Sequence, residues 1–228
     1  MQKSVKIALG AVVVVILLGG AGFYWFFLRD DAPERASLQT SSQAAESSDR
    51  TSADGTWKVQ QGTDVFAGYR VQELFGGETI KVTAVGRTPG VDGTMTISGT
   101  QVTVVDISAD MTQLKSDKAP RDGQIKTRGI ETNSFPTATF KLTQPINLPG
   151  TPEKGKQIEV TATGELTLHG VTKTVEIPLK AVWNGGTITV AGGAKVAFSD
   201  FDIEPPTNAI VSVDDNGEFE LQLTFVPA

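Results

Sequence analysis

Ile158 to Leu179, IEVTATGELTLHGVTKTVEIPL, is the stretch from which the fold can be read. Ile158, Val160, Ala162, Gly164, Leu166 and Leu168 alternate with Glu159, Thr161, Thr163, Glu165 and Thr167. A period of two over this length is a strand with one apolar and one polar face. The pattern resumes after His169-Gly170, with Val175, Ile177, Leu179, Ala181 and Trp183 opposite Thr174, Glu176 and Lys180. The stretch is therefore a hairpin turning at His169-Gly170. One apolar face cannot stand uncovered in water, so further strands must close over it.

Working outward, the same alternation fills the chain from residue 56 to the end. Strand regions are expected at Thr56–Gln60, Val65–Leu74, Glu78–Val85, Val91–Ser98, Gln101–Ala109, Thr137–Thr143, Thr187–Phe198 and Glu218–Val226, beside the hairpin. In the last, Phe219, Leu221, Leu223 and Phe225 are expected inward and Glu218, Glu220, Gln222 and Thr224 outward. Ser116–Arg128 breaks the pattern: Ser116 or Asp117 can cap a short helix, Pro120 suits its first turn and Gly129 its end. About eight sequential strands joined by short turns predict an all-β, closed antiparallel barrel with one helical excursion, with a sandwich as the alternative. Small residues on the inward face (Ala84, Ala162, Gly164, Ala181, Gly192, Ala194) leave room for a narrow, elongated void.

Two segments precede this domain. Residues 7–28, IALGAVVVVILLGGAGFYWFFL, carry no charge and are long enough to cross a hydrocarbon core of about 30 Å as a helix. Lys3 and Lys6 before the run place residues 1–6 in the cytoplasm and the remainder outside, as a single-pass membrane protein. The competing reading is a signal peptide, cleaved to release a secreted domain; the length of the run and the aromatics at Phe23–Phe27 argue against it. Residues 29–55, rich in Ser, Thr, Ala and acidic side chains, read as a disordered tether that leads into the domain at 56–228.

Composition removes several classes of function. The chain has no cysteine and one histidine, so thiolate metal sites and cysteine nucleophiles are out, and a histidine-rich site lacks material. A formal charge of -6 with no basic stripe speaks against nucleic acid as a partner. Asp200, Asp202, Glu204, Asp214 and Asp215 lack the glycine-centred spacing of a calcium loop and read as solvated. Gly76-Gly77 and Gly192-Gly193 lead into no helix and make no phosphate cradle. No catalytic residues are assigned: His169 sits at a hairpin tip and reads as a turn residue.

The segments GYRVQEL at 68–74, VGRTPGVDGTMTI at 85–97, SDKAPRDGQIKTRGIETNSFPTATFKL at 116–142 and GELTLHGVTKTVEIPL at 164–179 resemble the YceI-like family, including its membrane-anchored actinobacterial members. The likeness runs from Trp57 to Val226. It implies an extended eight-stranded lipocalin-like barrel, no enzymatic activity and no cofactor beyond a bound lipid. The implied ligand is a long isoprenoid, a polyprenyl chain or quinone tail, in an apolar cavity. On this reading Phe135, Phe140, Leu142, Leu166, Leu168, Ile177 and Leu179 are expected to line the cavity, with Arg121 and Asp122 at its mouth or, the commoner role for such charges, in structural salt bridges. A non-catalytic envelope scaffold with a filled barrel is the alternative, and a hydrolase is the weakest reading.

Overall fold

The computed structural model describes residues 22, 24–25, 29, 32–38, 50–76 and 79–228. Among them no helix is long and apolar enough to cross a membrane, and nearly all of the run at 7–28 lies outside them.

The strands are β1 (Gly55–Val59), β2 (Phe66–Phe75), β3 (Ile80–Thr88), β4 (Val91–Ser98), β5 (Gln101–Asp110) and β6 (Lys115–Ser116), then β7 (Thr137–Leu142) and β8 (Ile146–Asn147), and finally β9 (Gln157–Leu168), β10 (Val171–Trp183), β11 (Ile188–Ala197) and β12 (Val211–Pro227). The helix α1 (Ala119–Ile125) lies between β6 and β7. Pairing is antiparallel throughout. The β1–β4 and β2–β3 pairs belong to one bent hairpin, and β5 and β6 continue it against β4 and β3. Eight arms result, each hydrogen-bonded to its neighbour in sequence, and β12 closes the ring on β1 and β2. This is the closed barrel that the alternation predicts, and closure leaves no edge strand to manage.

His169 and Gly170 form the two-residue β9–β10 turn with φ of 52° and 75°. Both central residues lie in the left-handed region, as a type I′ hairpin turn requires, and its twist matches that of the flanking strands. The helix starts later than the sequence predicts, with Lys118 at the cap position and no side-chain cap. Ser116 and Asp117 instead tie the helix down: Ser116 Oγ donates to Asp122 Oδ1 at 2.7 Å, and Asp117 Oδ1 accepts from the Val85 N–H at 3.2 Å.

Two expectations about β12 need correcting. The strand begins at Val211, not Glu218, because Asp214-Asp215-Asn216 forms a bulge against β2 while Asn216 is already paired with β11. A bulge inserts unpaired polar residues into a strand, so in sequence it imitates a turn. Its outward face is also dry: Glu220, Gln222 and Thr224 are buried. Residues 32–38, expected within the disordered tether, run down the outside of this wall. Arg70 Nη2 donates to the Pro33 carbonyl at 2.7 Å, Arg35 pairs with Glu218, and the N–H groups of Ala36 and Ser37 reach Glu220 Oε2 (3.4 Å) and Gln222 Oε1 (3.1 Å). Glu220, beneath this strap, accepts from Arg87 Nε at 2.9 Å and lies 3.5 Å from Arg70.

The core is the inward set of the alternation, from Trp57 and Met95 to Leu223 and Phe225. Trp57 and Trp183 plug the end of the barrel near the chain's C-terminus. Each satisfies its indole N–H on a backbone carbonyl, Ala53 at 2.8 Å and Gly185 at 2.9 Å, which a buried tryptophan needs.

Candidate functional site

The interior is not solid. Two chambers, about 200 Å³ and 120 Å³, are stacked along the bore and share a waist of Ile107, Phe140, Ile177, Leu221 and Leu223. A single water needs roughly 10–15 Å³ by this measure, and an apolar cavity of about 150 Å³ stays dry and accepts a small aromatic. Both voids are therefore ligand-sized and carpeted by hydrocarbon.

The larger chamber lies at the end holding α1, the β2–β3 and β9–β10 tips and the loop at 198–210. Its walls include Ala67, Tyr69, Val71 and Glu73 of β2, which point inward by the period-two rule. Loops close over it from two sides. Gly129 (φ 65°) brings its backbone so near Pro206 that an added Cβ would lie 3.4 Å from the Pro206 ring. His169 braces the loop at 198–210, its Nδ1 standing 3.1 Å from the Phe201 carbonyl and its ring 4.1 Å from that of Phe135. A carbonyl only accepts, so the proton sits on Nδ1.

Polar side chains border the larger chamber at Gln124, Arg128, Thr139 and Asn208, and most densely around Glu73 and Arg121. Arg121 Nε donates to Glu73 Oε1 and Nη1 to Asp117 Oδ1, both at 2.6 Å. Burial opposes the guanidinium charge, but the hydrogen bonds and charges of Glu73 and Asp117 outweigh it and hold its pKa above the ordinary value. Burial also drives the Tyr69 phenol far above its usual range; Arg121 opposes that shift, while Asp117, Glu73 and Asp122 add to it. The accessible edge of Tyr69 faces the chamber. One guanidinium bound by two carboxylates leaves this corner without surplus positive charge, beside a neutral phenol.

The sequence-predicted lining divides three ways. Phe140, Leu166, Leu168 and Ile177 border the larger chamber; Phe140, Ile177 and Leu179 border the smaller. Leu142 packs on the core but borders neither void, and Phe135 packs outside the bore against His169 and Gly170. Phe135 precedes β7, so strand alternation does not govern its direction. Arg121 borders the larger chamber, whereas Asp122 does not: it accepts from Ser116 N–H and Oγ and anchors the helix. Phe66 lies on the outer wall with the Arg87 guanidinium 3.9 Å from its ring.

Tyr69, Glu73, Ile107 and Ile203 line the larger chamber and went unremarked in the sequence. The alternation of Ala67, Tyr69, Val71 and Glu73 was the available signal, since an acid on an apolar face needs a cation. The small inward residues also behave in two ways. Ala84, Ala162 and Ala181 border voids, whereas Gly164 and Gly86 seat the rings of Phe140 and Tyr69. Among the described residues, no group of three His, Cys, Asp or Glu side chains could hold a metal ion.

A lone ring of antiparallel strands, plugged at one end and lidded at the other around an apolar bore, defines a barrel of the small-ligand container class. The YceI-like domain matches residues 57–225, and the chain belongs to that family. Over 106 residues it is 34% identical to a UPF0312 protein of Vibrio parahaemolyticus, which covers 43% of this chain and 52% of that one. Protein YceI of Shigella flexneri is 26% identical over 154 residues, 64% of this chain and 74% of that one. The chain thus spans about half the length of the Vibrio relative. Two solved structures share the fold. One is a polyisoprenoid binding domain from Saccharophagus degradans implicated in plant cell wall breakdown (TM-score 0.57, 14% identity, covering 75% of this chain and 98% of that one). The other is Burkholderia cenocepacia BcnA (TM-score 0.51, 17% identity, covering 68% and 95%).

Proposed function

We propose that this protein is a membrane-tethered, extracytoplasmic, non-catalytic lipid-binding protein that holds an isoprenoid tail along the two chambers. The observation that carries this reading is the pair of apolar voids joined end to end through an apolar waist. Stacked chambers suit a chain better than a disc. Burying each methylene contributes about 0.8 kcal/mol, so about twenty carbons contribute roughly 16 kcal/mol gross. That is enough to offset an association cost of about 4–15 kcal/mol. The resemblance to a polyisoprenoid binding domain supports the choice of isoprenoid over a straight acyl chain. The uncharged run at 7–28, with Lys3 and Lys6 before it, supports the anchor and the outward orientation.

The charge of the larger chamber bears on the head group. Arg121 is already satisfied by Glu73 and Asp117, and the Tyr69 phenol stays neutral. At the Glu73 and Arg121 corner a hydroxyl or quinone carbonyl would meet a phenolic donor, while Arg128 also borders the chamber and offers a guanidinium to an anionic head. The proposed ligand is an isoprenoid with a hydrogen-bonding head. Native mass spectrometry of the gently purified full chain, with extraction of what it carries, tests this. A retained polyprenyl lipid or quinone is expected. A barrel that is empty and takes up neither would overturn the reading in favour of a scaffold.

A further inference from the structure

The strap at residues 32–38 has a direction, and the direction has a consequence for how the barrel stands on a membrane. Its contacts step down β12 in order, with Arg35 on Glu218, Ala36 on Glu220 and Ser37 on Gln222. β12 runs from the larger-chamber end to the tryptophan-plugged end, so the chain enters at the larger-chamber end and travels away from it. Arg29, directly after the apolar run, confirms the entry point: its carbonyl accepts from Lys118 Nζ at 3.0 Å, at the start of α1.

The same end carries exposed apolar side chains beside the exposed carboxylates of Asp200, Asp202, Glu204 and Asp215. Ile80 and Ile210 are 40% and 62% exposed. Both flank the end of β2, Ile80 opposite Phe75 on β3 and Ile210 next to Val211, which pairs with Phe75 from the other side; the Ile210 carbonyl accepts from the Gly76 N–H. A bare tether of this length would let the barrel turn freely. A strap bound through an ion pair and several hydrogen bonds would not.

We infer that the strap fixes the barrel with its larger-chamber end against the membrane, so that Ile80 and Ile210 rest on the lipid surface and the lidded mouth opens toward the leaflet. This rests on residues 7–28 being the anchor, as in the proposed function, and goes beyond it by assigning a lipid-facing surface and a docking role to the strap. Apolar side chains near the mouth would be buried at the headgroup boundary, and binding there grows with the apolar area taken out of water.

The chain has no native cysteine, so single-cysteine probes are clean. The full chain carrying Ile80→Cys, Ile210→Cys or Val104→Cys, each with an environment-sensitive fluorophore, is reconstituted in phosphatidylethanolamine and phosphatidylglycerol vesicles containing a headgroup spin-labelled lipid. Val104 is exposed but lies near the opposite end, paired with Thr96, which pairs with Thr56. Probes at 80 and 210 should be quenched several-fold more than the probe at 104. Replacing Pro33–Ser37 by a glycine-serine segment of equal length should erase the difference while leaving the barrel folded. The milder Arg35→Ser, which removes only the exposed half of one ion pair, should reduce it. Equal quenching at all three sites, stronger quenching at 104, or failure of the chain to partition with the vesicles overturns the inference. Lipid occupancy, read on the same samples by native mass spectrometry, fails or holds independently: an empty barrel with the expected quenching sinks only the ligand reading.

Discussion

Tyr69 shows how a single side chain can report on the chamber. Its phenol is held in the neutral form chiefly by burial, with nearby carboxylates adding and Arg121 opposing. An ordinary tyrosine titrates near pH 10. Because the folded-state pKa is raised above the unfolded value, the associated stability is fully present below about pH 10 and is lost as pH climbs beyond it. Phenolate absorbance should show a late-ionising tyrosine that is absent from Tyr69→Phe, and the variant's stability should fall less steeply above pH 10. Glu220 makes a second prediction at this scale. It is 2% exposed and serves both Arg70 and Arg87. Glu220→Ala leaves two guanidinium groups without their carboxylate under the strap and should cost about 3 kcal/mol, measured by denaturant unfolding. Glu220 does not declare its role in the sequence, since it alternates as an outward residue should, whereas the inward place of Tyr69 follows from its alternation with Ala67, Val71 and Glu73.

Among the elements, the β9–β10 hairpin was the most legible, down to its two-residue turn, because its faces and its turn each obey one local rule. Where a partner element decides, local rules fall short. Gly164 lies on the apolar face as expected, yet it does not enlarge the bore: an added Cβ would come within 2.5 Å of the Phe140 ring and 2.4 Å of the Lys141 carbonyl. Gly164→Val should therefore displace Phe140 from its seat and cost roughly 3 kcal/mol, near the upper end for overpacking, read as a lower thermal midpoint. The early start of β12 was hidden by Asp214-Asp215-Asn216, a run that reads as a loop until β11 supplies a pairing edge. The helix was found, but its cap was misplaced because Ser116 and Asp117 bond to the helix body and to β3.

At the scale of the whole molecule the two chambers act as a ruler. Ala162 is 1% exposed and lines the smaller chamber. Ala162→Phe should fill that end and leave the larger chamber open, at a cost of about 1–3 kcal/mol for overpacking. The expected result is a shorter retained isoprenoid, or weaker retention of the same one, by native mass spectrometry; an unchanged ligand length would show that the tail stops above the waist. Alternation from residue 56 onward determined by itself that the chain is all-β with one apolar face per strand, because a side-chain period of two assigns each residue to a face without reference to any other strand; closure into a barrel rather than a sandwich was decided by the pairing of β12 with β1 and β2. It also determined that five of the named apolar residues, Phe140, Leu166, Leu168, Ile177 and Leu179, would face inward. Only the tertiary structure decided which inward residues touch empty space, that Glu73 and Asp117 bind Arg121, and that a polar stretch of presumed tether lies along β12. These depend on side chains far apart in sequence meeting across the ring, and on the difference between the volume that strand closure encloses and the volume that particular neighbours fill.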